Sequence, residues 1–151
     1  MSSKNAVDEI LDFAIRNEQE SADFYTELSD KFKDSAIRSI FMDFAREETG
    51  HKKKLERVKN EKLYVPAPGK IDDLKIADYL DHVEGTGGID YPQALKIAMI
   101  REKRAFKLYT NLAESARDEN IRELFSFLAQ EEAKHKLRFE IEYDENVLRE
   151  N

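Results

Sequence analysis

Five glycines and three prolines are all that the 151 residues contain, and nearly all of them fall in one stretch. Pro66, Pro68 and Gly69 come together, followed by Gly85, Gly87, Gly88 and Pro92. Apart from Gly50, residues 1–63 and 93–151 have neither residue type. Breakers confined in this way leave two long uninterrupted regions joined by one connection. No segment alternates polar and apolar residues as a strand does, so the expected class is all-α.

Apolar residues recur at steps of three and four: Val7, Leu11 and Ala14, then Tyr25, Leu28 and Phe32. The same spacing continues through Ile37, Phe41 and Phe44, through Leu95, Ala98 and Ala105, and through Ile121, Phe125 and Leu128. Such seams belong to helices packed in antiparallel pairs. Asp34 and Asp118 suit the N-caps of the second and fourth helices, and Asp90 with Pro92 and Gln93 suits the start of the third. Helices are therefore expected near 6–31, 35–62, 91–115 and 118–146. Short turns near 32–34 and 116–118 make two antiparallel helical hairpins. The connection from about 63 to 90 is too long for a turn and is expected to carry a short helix around 72–81. A four-helix bundle with one long crossover between helices two and three is the ferritin-like connectivity. One domain over residues 1–151 suits this length.

The two halves repeat each other at an offset of 84 residues, without a gap, from Leu11 and Leu95 to Glu56 and Glu140. Ala14 pairs with Ala98, Glu18 with Glu102, Tyr25 with Tyr109, Arg38 with Arg122, Phe41 with Phe125, Glu48 with Glu132 and His51 with His135. The fold should carry an approximate two-fold axis, and two equivalent metal ions are a natural occupant of it.

Each apolar seam runs through a carboxylate. Glu18 follows Leu11 and Ala14, and Glu48 and His51 lie between Phe44 and Leu55. Glu102 lies between Ala98 and Ala105, and Glu132 and His135 lie between Leu128 and Phe139. Four bare carboxylates buried together are strongly unfavourable. Two divalent cations neutralise them. Glu-x-x-His puts both side chains on one helix face. A single such pair arises by chance on charged helices. Here it occurs twice, on the core seam, each time 30 residues after its partner glutamate. One glutamate from each of two helices plus Glu-x-x-His from each of the others is the ligand pattern of di-iron and di-manganese bundles.

The runs AIRNEQESADFY (14–25) and AMIREKRAFKLY (98–109), with FAREETGH (44–51) and LAQEEAKH (128–135), resemble the erythrin domain of rubrerythrins and related ferritin-like proteins. The resemblance covers nearly the whole chain. It implies a metal-ligand set of Glu18, Glu48, His51, Glu102, Glu132 and His135, with Glu48 and Glu132 bridging. It implies that Tyr25 and Tyr109 hydrogen-bond to ligand carboxylates. It also implies iron as the cofactor, two ions per chain, although manganese and zinc accept the same donors. Two departures stand out. The chain has no cysteine, so it cannot itself hold the rubredoxin centre that passes electrons to the metals in rubrerythrins. Where those proteins carry a further glutamate one turn after the helix-three ligand, this chain has Ala105, and the repeat mate is Ser21. Six ligands bring the set closer to that of bacterioferritin.

A ferrous pair can deliver two electrons at once, which suits reduction of hydrogen peroxide or dioxygen, and the small Ala105 and Ser21 leave room for such an oxidant. The expected activity is that of a di-iron oxidoreductase, a peroxidase or ferroxidase acting in oxidative stress, with an external electron donor. Two alternatives stay open: an iron-handling or storage protein, and a metal-bound helical interaction module. The lack of a fifth short helix after about residue 146 favours a monomer or homodimer over a shell. Phe13, Phe24, Ile40, Ile100, Phe106 and Phe127 lie off the seam, where they either form a dimer face or widen the buried stripe. His82, in the crossover, is expected at the surface. A formal charge of −7 with 38% charged residues argues against nucleic acid and against a polybasic membrane anchor. No secretory signal or membrane-spanning run is recognisable, so the cytoplasm is the expected location.

Overall fold

The computed structural model describes residues 6–64 and 88–148. Four long helices account for most of them: α1 (Ala6–Lys31), α2 (Ser35–Asn60), α3 (Tyr91–Ser115) and α4 (Glu119–Tyr143). No strand occurs among the described residues. α4 runs on into a π-helical turn, Asp144–Leu148. The short helix expected around 72–81, and His82, lie outside the described residues. No described helix is long and apolar enough to cross a membrane.

Caps at the helix starts set where each seam begins. The Asp34 carboxylate accepts from the backbone amides of Ala36 and Ile37 at 2.9 and 3.1 Å. Asp118 accepts from Ile121 N at 3.1 Å. Asp90 and Gln93 form a reciprocal capping box, with Pro92 in the first turn, where its missing N–H costs nothing. These contacts satisfy amide donors that a helix start otherwise leaves without an intrahelical acceptor.

Within the first hairpin, contacts at both ends show α1 and α2 antiparallel. Lys59, near the end of α2, pairs with Asp12, near the start of α1. At the other end Ser29 Oγ donates to the Arg38 carbonyl at 3.0 Å. The second hairpin repeats the plan. Tyr91 at the start of α3 donates to Glu142 near the end of α4, and Lys96 lies 5.6 Å from the Tyr143 ring centroid. Lys96 and Tyr143 are the repeat mates of Asp12 and Lys59, so one clamp is an ion pair and the other a cation–π contact. Both turns are closed by an arginine. Arg38 donates to the Phe32 carbonyl at 3.2 Å and Arg122 to the Ala116 carbonyl at 2.9 Å.

Each hairpin buries its seam. Leu11, Ala14, Tyr25, Leu28, Phe41 and Leu55 are fully buried in the first, and Leu95, Ala98, Tyr109 and Leu128 in the second. A fully buried leucine or phenylalanine contributes on the order of 1.5–3 kcal/mol. The off-seam residues divide. Phe13 and Phe24 are buried and widen the stripe of α1, whereas Ile100, Phe106 and Phe127 are exposed. Ile40 is half-buried.

α2 stops two residues earlier than the spacing suggests. Lys62 takes a left-handed φ of 52°, the Lys62 amide bonds the Lys59 carbonyl, and the Leu63 amide bonds the Val58 carbonyl at 3.0 Å. That is a Schellman closure, usually built on glycine. A lysine there gives no signal in the sequence and carries a steric penalty of roughly 1–2 kcal/mol.

Two outcomes are expected in thermal or denaturant unfolding. Lys62→Gly should stabilise the chain, by at most about 1 kcal/mol once the added unfolded-state entropy is offset. Asp34→Ala and Asp118→Ala should each destabilise it by about 1 kcal/mol. Because the two aspartates are repeat mates in matching turns, their effects should be alike. A loss at one site only would show that the two turns are not equivalent.

Candidate metal centre

Glu18 sits in the middle of α1, and Glu48 and His51 sit one turn apart in the middle of α2. Their flanking residues are apolar and buried: Leu11 and Ala14 before Glu18, Phe44 and Leu55 around the α2 pair. The antiparallel register of the hairpin brings the three together. His51 Nδ1 lies 3.6 Å from Glu18 Oε2 and 4.0 Å from Glu48 Oε2. Glu18 and Glu48 are 0% exposed and His51 is 8% exposed.

The second hairpin reproduces this arrangement. His135 Nδ1 lies 3.6 Å from Glu102 Oε1 and 3.8 Å from Glu132 Oε1. All three residues are buried to within 2% of full. Each triad offers three donor atoms that lie within 4.8 Å of one another. So the six residues expected as ligands are drawn into two matching clusters of three, one per hairpin.

The donor sets fit a divalent ion. Carboxylate oxygen and imidazole nitrogen are the donors that iron, manganese and zinc accept. The separations of 3.6–4.0 Å exceed hydrogen-bonding distance. They come close to the spacing of neighbouring donors around one ion, about 3–3.5 Å for bonds near 2.1 Å.

Tyr25 and Tyr109 lie two turns after Glu18 and Glu102 and are both fully buried. Tyr25 stacks on Phe41 with ring centroids 6.4 Å apart, and Tyr109 stacks on Phe125 at 5.9 Å. Phe44 adds a tilted contact to Tyr25 at 5.7 Å. These rings continue the buried seams beyond Glu18 and Glu102. Ser21 and Ala105, one turn after Glu18 and Glu102, are buried as well.

Among the described residues nine polar or charged side chains are buried, and six of them are the expected ligands. Ser21 and Ser29 are two of the others. The ninth, Arg101, precedes Glu102 and is 8% exposed. Sequence reasoning missed it. The available signal was a break in the repeat, since the mate of Arg101 is Asn17, but Arg104 and Lys103 break the repeat too and are exposed.

The rubrerythrin family model matches residues 9–143. Comparison with the curated proteins finds no match. Two solved structures are similar. One is a hypothetical protein from Pyrococcus furiosus, 21% identical, with a TM-score of 0.68 over 92% of this chain and 89% of that one. The other, from Thermotoga maritima, is assigned provisionally as a ferritin-like diiron-carboxylate protein. It is 21% identical, with a TM-score of 0.67 over 96% of this chain and 99% of that one. At that identity the likeness speaks to the fold, which is ferritin-like. Since the family model spans all but the outermost turns of the four helices, the chain belongs to the rubrerythrin family.

Proposed function

We propose that the two triads together hold a pair of iron ions and that the chain is a di-iron oxidoreductase reducing hydrogen peroxide or dioxygen. The observation that carries this reading is the match between the triads: same residue types, same register, and His–Glu separations that agree to within 0.2 Å. A chance cluster of buried acids has no reason to occur twice with one geometry.

Glu18, Glu48, His51, Glu102, Glu132 and His135 would together hold the two ions. Four carboxylates then balance two divalent charges. Bound as a ferrous pair, the ions would supply two electrons together, the number that takes hydrogen peroxide to water or dioxygen to peroxide. The chain's own residues do the rest. The buried rings of Phe41, Phe44 and Phe125 would help keep bulk water from the seams and strengthen the electrostatic contacts inside. The hydroxyls of Tyr25 and Tyr109 would fix the orientation of ligand carboxylates, as outer-shell hydrogen bonds commonly do. Ser21 and Ala105 are too small to add a ligand and leave space for a diatomic oxidant or peroxide. With no cysteine in these 151 residues, electrons for a second turnover come from an external donor.

Protein loaded anaerobically with ferrous iron and desalted should retain about two irons per chain. Glu48→Ala/Glu132→Ala should retain none while keeping its helical circular dichroism. Retention by the double variant would remove both triads from consideration.

Hydrogen peroxide should oxidise the ferrous protein at least tenfold faster than free ferrous ion at the same pH, followed by the ferric absorbance near the ultraviolet edge. An equal rate would reduce the site to iron holding without turnover. Loading should also raise the melting temperature. Free metal at a hundred times its dissociation constant adds about 2.7 kcal/mol, and a chelator should reverse the gain.

A further inference from the structure

Consecutive residues on a helix stand about 100° apart, so the two neighbours of a buried ligand flank it on either side. The neighbours of His135 are Lys134 and Lys136, and both are held by carboxylates of α4 itself. Lys134 lies 3.6 Å from Glu131, and Lys136 donates to Glu140. His135 is 1% exposed. The neighbours of His51 are Gly50 and Lys52. Lys52 donates to Gln19 at 2.7 Å, and the Gln19 amide donates to Asp23 at 2.9 Å, so that flank is closed across the groove between α1 and α2. Gly50 closes nothing. It is exposed, and outside its own helical turn no heavy atom among the described residues lies within 4 Å of where a Cβ would stand. His51 is 8% exposed, the most open of the six expected ligands.

The helix itself does not ask for this glycine. Gly50 lies inside α2, in the turn between Glu48 and His51, where glycine is less favourable than alanine. Its φ is not positive, and no neighbour needs the space. What the missing side chain changes is the cover over the ring of His51. Charge around the opening selects what can use it. Glu47, half-buried, precedes Gly50 by one turn, and Lys53 and Lys54, both exposed, follow it by one turn. Arg46 is balanced by Asp43 at 3.4 Å. Two lysines against one glutamate leave the mouth positive. Such a mouth opposes a divalent cation and leaves small neutral molecules unhindered.

We propose that Gly50 is the opening through which the small neutral oxidant, hydrogen peroxide or dioxygen, reaches the metal centre, on the His51 side and not past Lys134. The route rests on the reading of the triads as an iron site, whereas the opening is a property of the metal-free chain. Two triads with matching donors are thus unequal towards solvent. The difference lies in one flanking residue of each histidine, Gly50 in α2 and its repeat mate Lys134 in α4.

The test has two arms. In the first, the metal-free full chain is treated briefly with diethyl pyrocarbonate, and modification of each histidine is followed by peptide mass spectrometry. A ring reached without local opening should react about tenfold faster than one that needs it, so His51 should lead His135 by that factor. Gly50→Leu covers the opening and should slow His51 to the rate of His135, with His135 itself unchanged. Gly50→Ala gains a similar helix preference without the bulk and should leave His51 fast, which separates cover from stability. Lys134→Gly should speed His135. In the second arm, Gly50→Leu loaded with ferrous iron should retain as much metal as wild type yet be oxidised by hydrogen peroxide several-fold more slowly. Helical circular dichroism shows that each variant is folded; if Gly50→Leu is not, the reaction of His135 in Lys134→Gly decides. Equal rates at His51 and His135 in wild type overturn the proposal, as does a His51 rate indifferent to Gly50→Leu. Unchanged peroxide oxidation in Gly50→Leu also ends it, since the oxidant then enters elsewhere. A chain that binds no iron ends the route together with the metal reading, and the histidine rates then still show whether Gly50 is an opening.

Discussion

Apolar packing alone opposes putting glutamate at the centre of a helix seam, and this chain does so four times. Most other features follow from that constraint. The carboxylates must arrive at one level in each hairpin together with a histidine, and the starts of α2, α3 and α4 are each fixed by an aspartate cap: Asp34, Asp90 and Asp118. Clamps at the far ends, Lys59 with Asp12 and Lys96 with Tyr143, hold the register over the length of the pair. A shift of one residue would rotate Glu48 about 100° around its helix and away from Glu18. The triad geometry and the hairpin geometry are therefore one requirement.

The seams made the helices readable, because 3.6-residue periodicity survives wherever a long helix buries one face. Helix starts were legible to within a residue, since aspartate caps act through side chains. The end of α2 was less so: Lys62 adopts a left-handed backbone that sequence rules assign to glycine. α4 closes through a π-helical turn at Asp144–Leu148, and no residue type there announces it. The ligands were legible because a charge on an apolar seam violates the pattern that defines the seam. Arg101 was not, because it sits on the flank of its stripe, where buried and exposed arginines look alike in sequence. Ile100, Phe106 and Phe127 show the same limit from the apolar side. Spacing places them off the seam without telling that Phe13 and Phe24 would be buried and these three exposed.

The internal repeat separates what the chemistry requires from what it leaves open. The positions of the triads are held in both halves, glutamate, glutamate and histidine, and so are the buried tyrosine two turns on and the phenylalanine ring stacked on it. The arginine that closes each turn is held too. Away from these, equivalent positions exchange freely, an ion pair for a cation–π contact at the clamps and a serine for an alanine beside the ligands. A duplicated hairpin with a shared charge balance can vary its clamps, because any contact that keeps the register will do.

Reversal of charge is a different kind of change from exchange. Loss of a surface charge drifts towards neutral residues, whereas Glu20 to Arg104 and Asp23 to Lys107 are substitutions to the opposite sign on neighbouring turns of one face. The same repeat that makes the metal ligands equivalent thus supplies, through its divergence, a pair of unlike surfaces from one gene product.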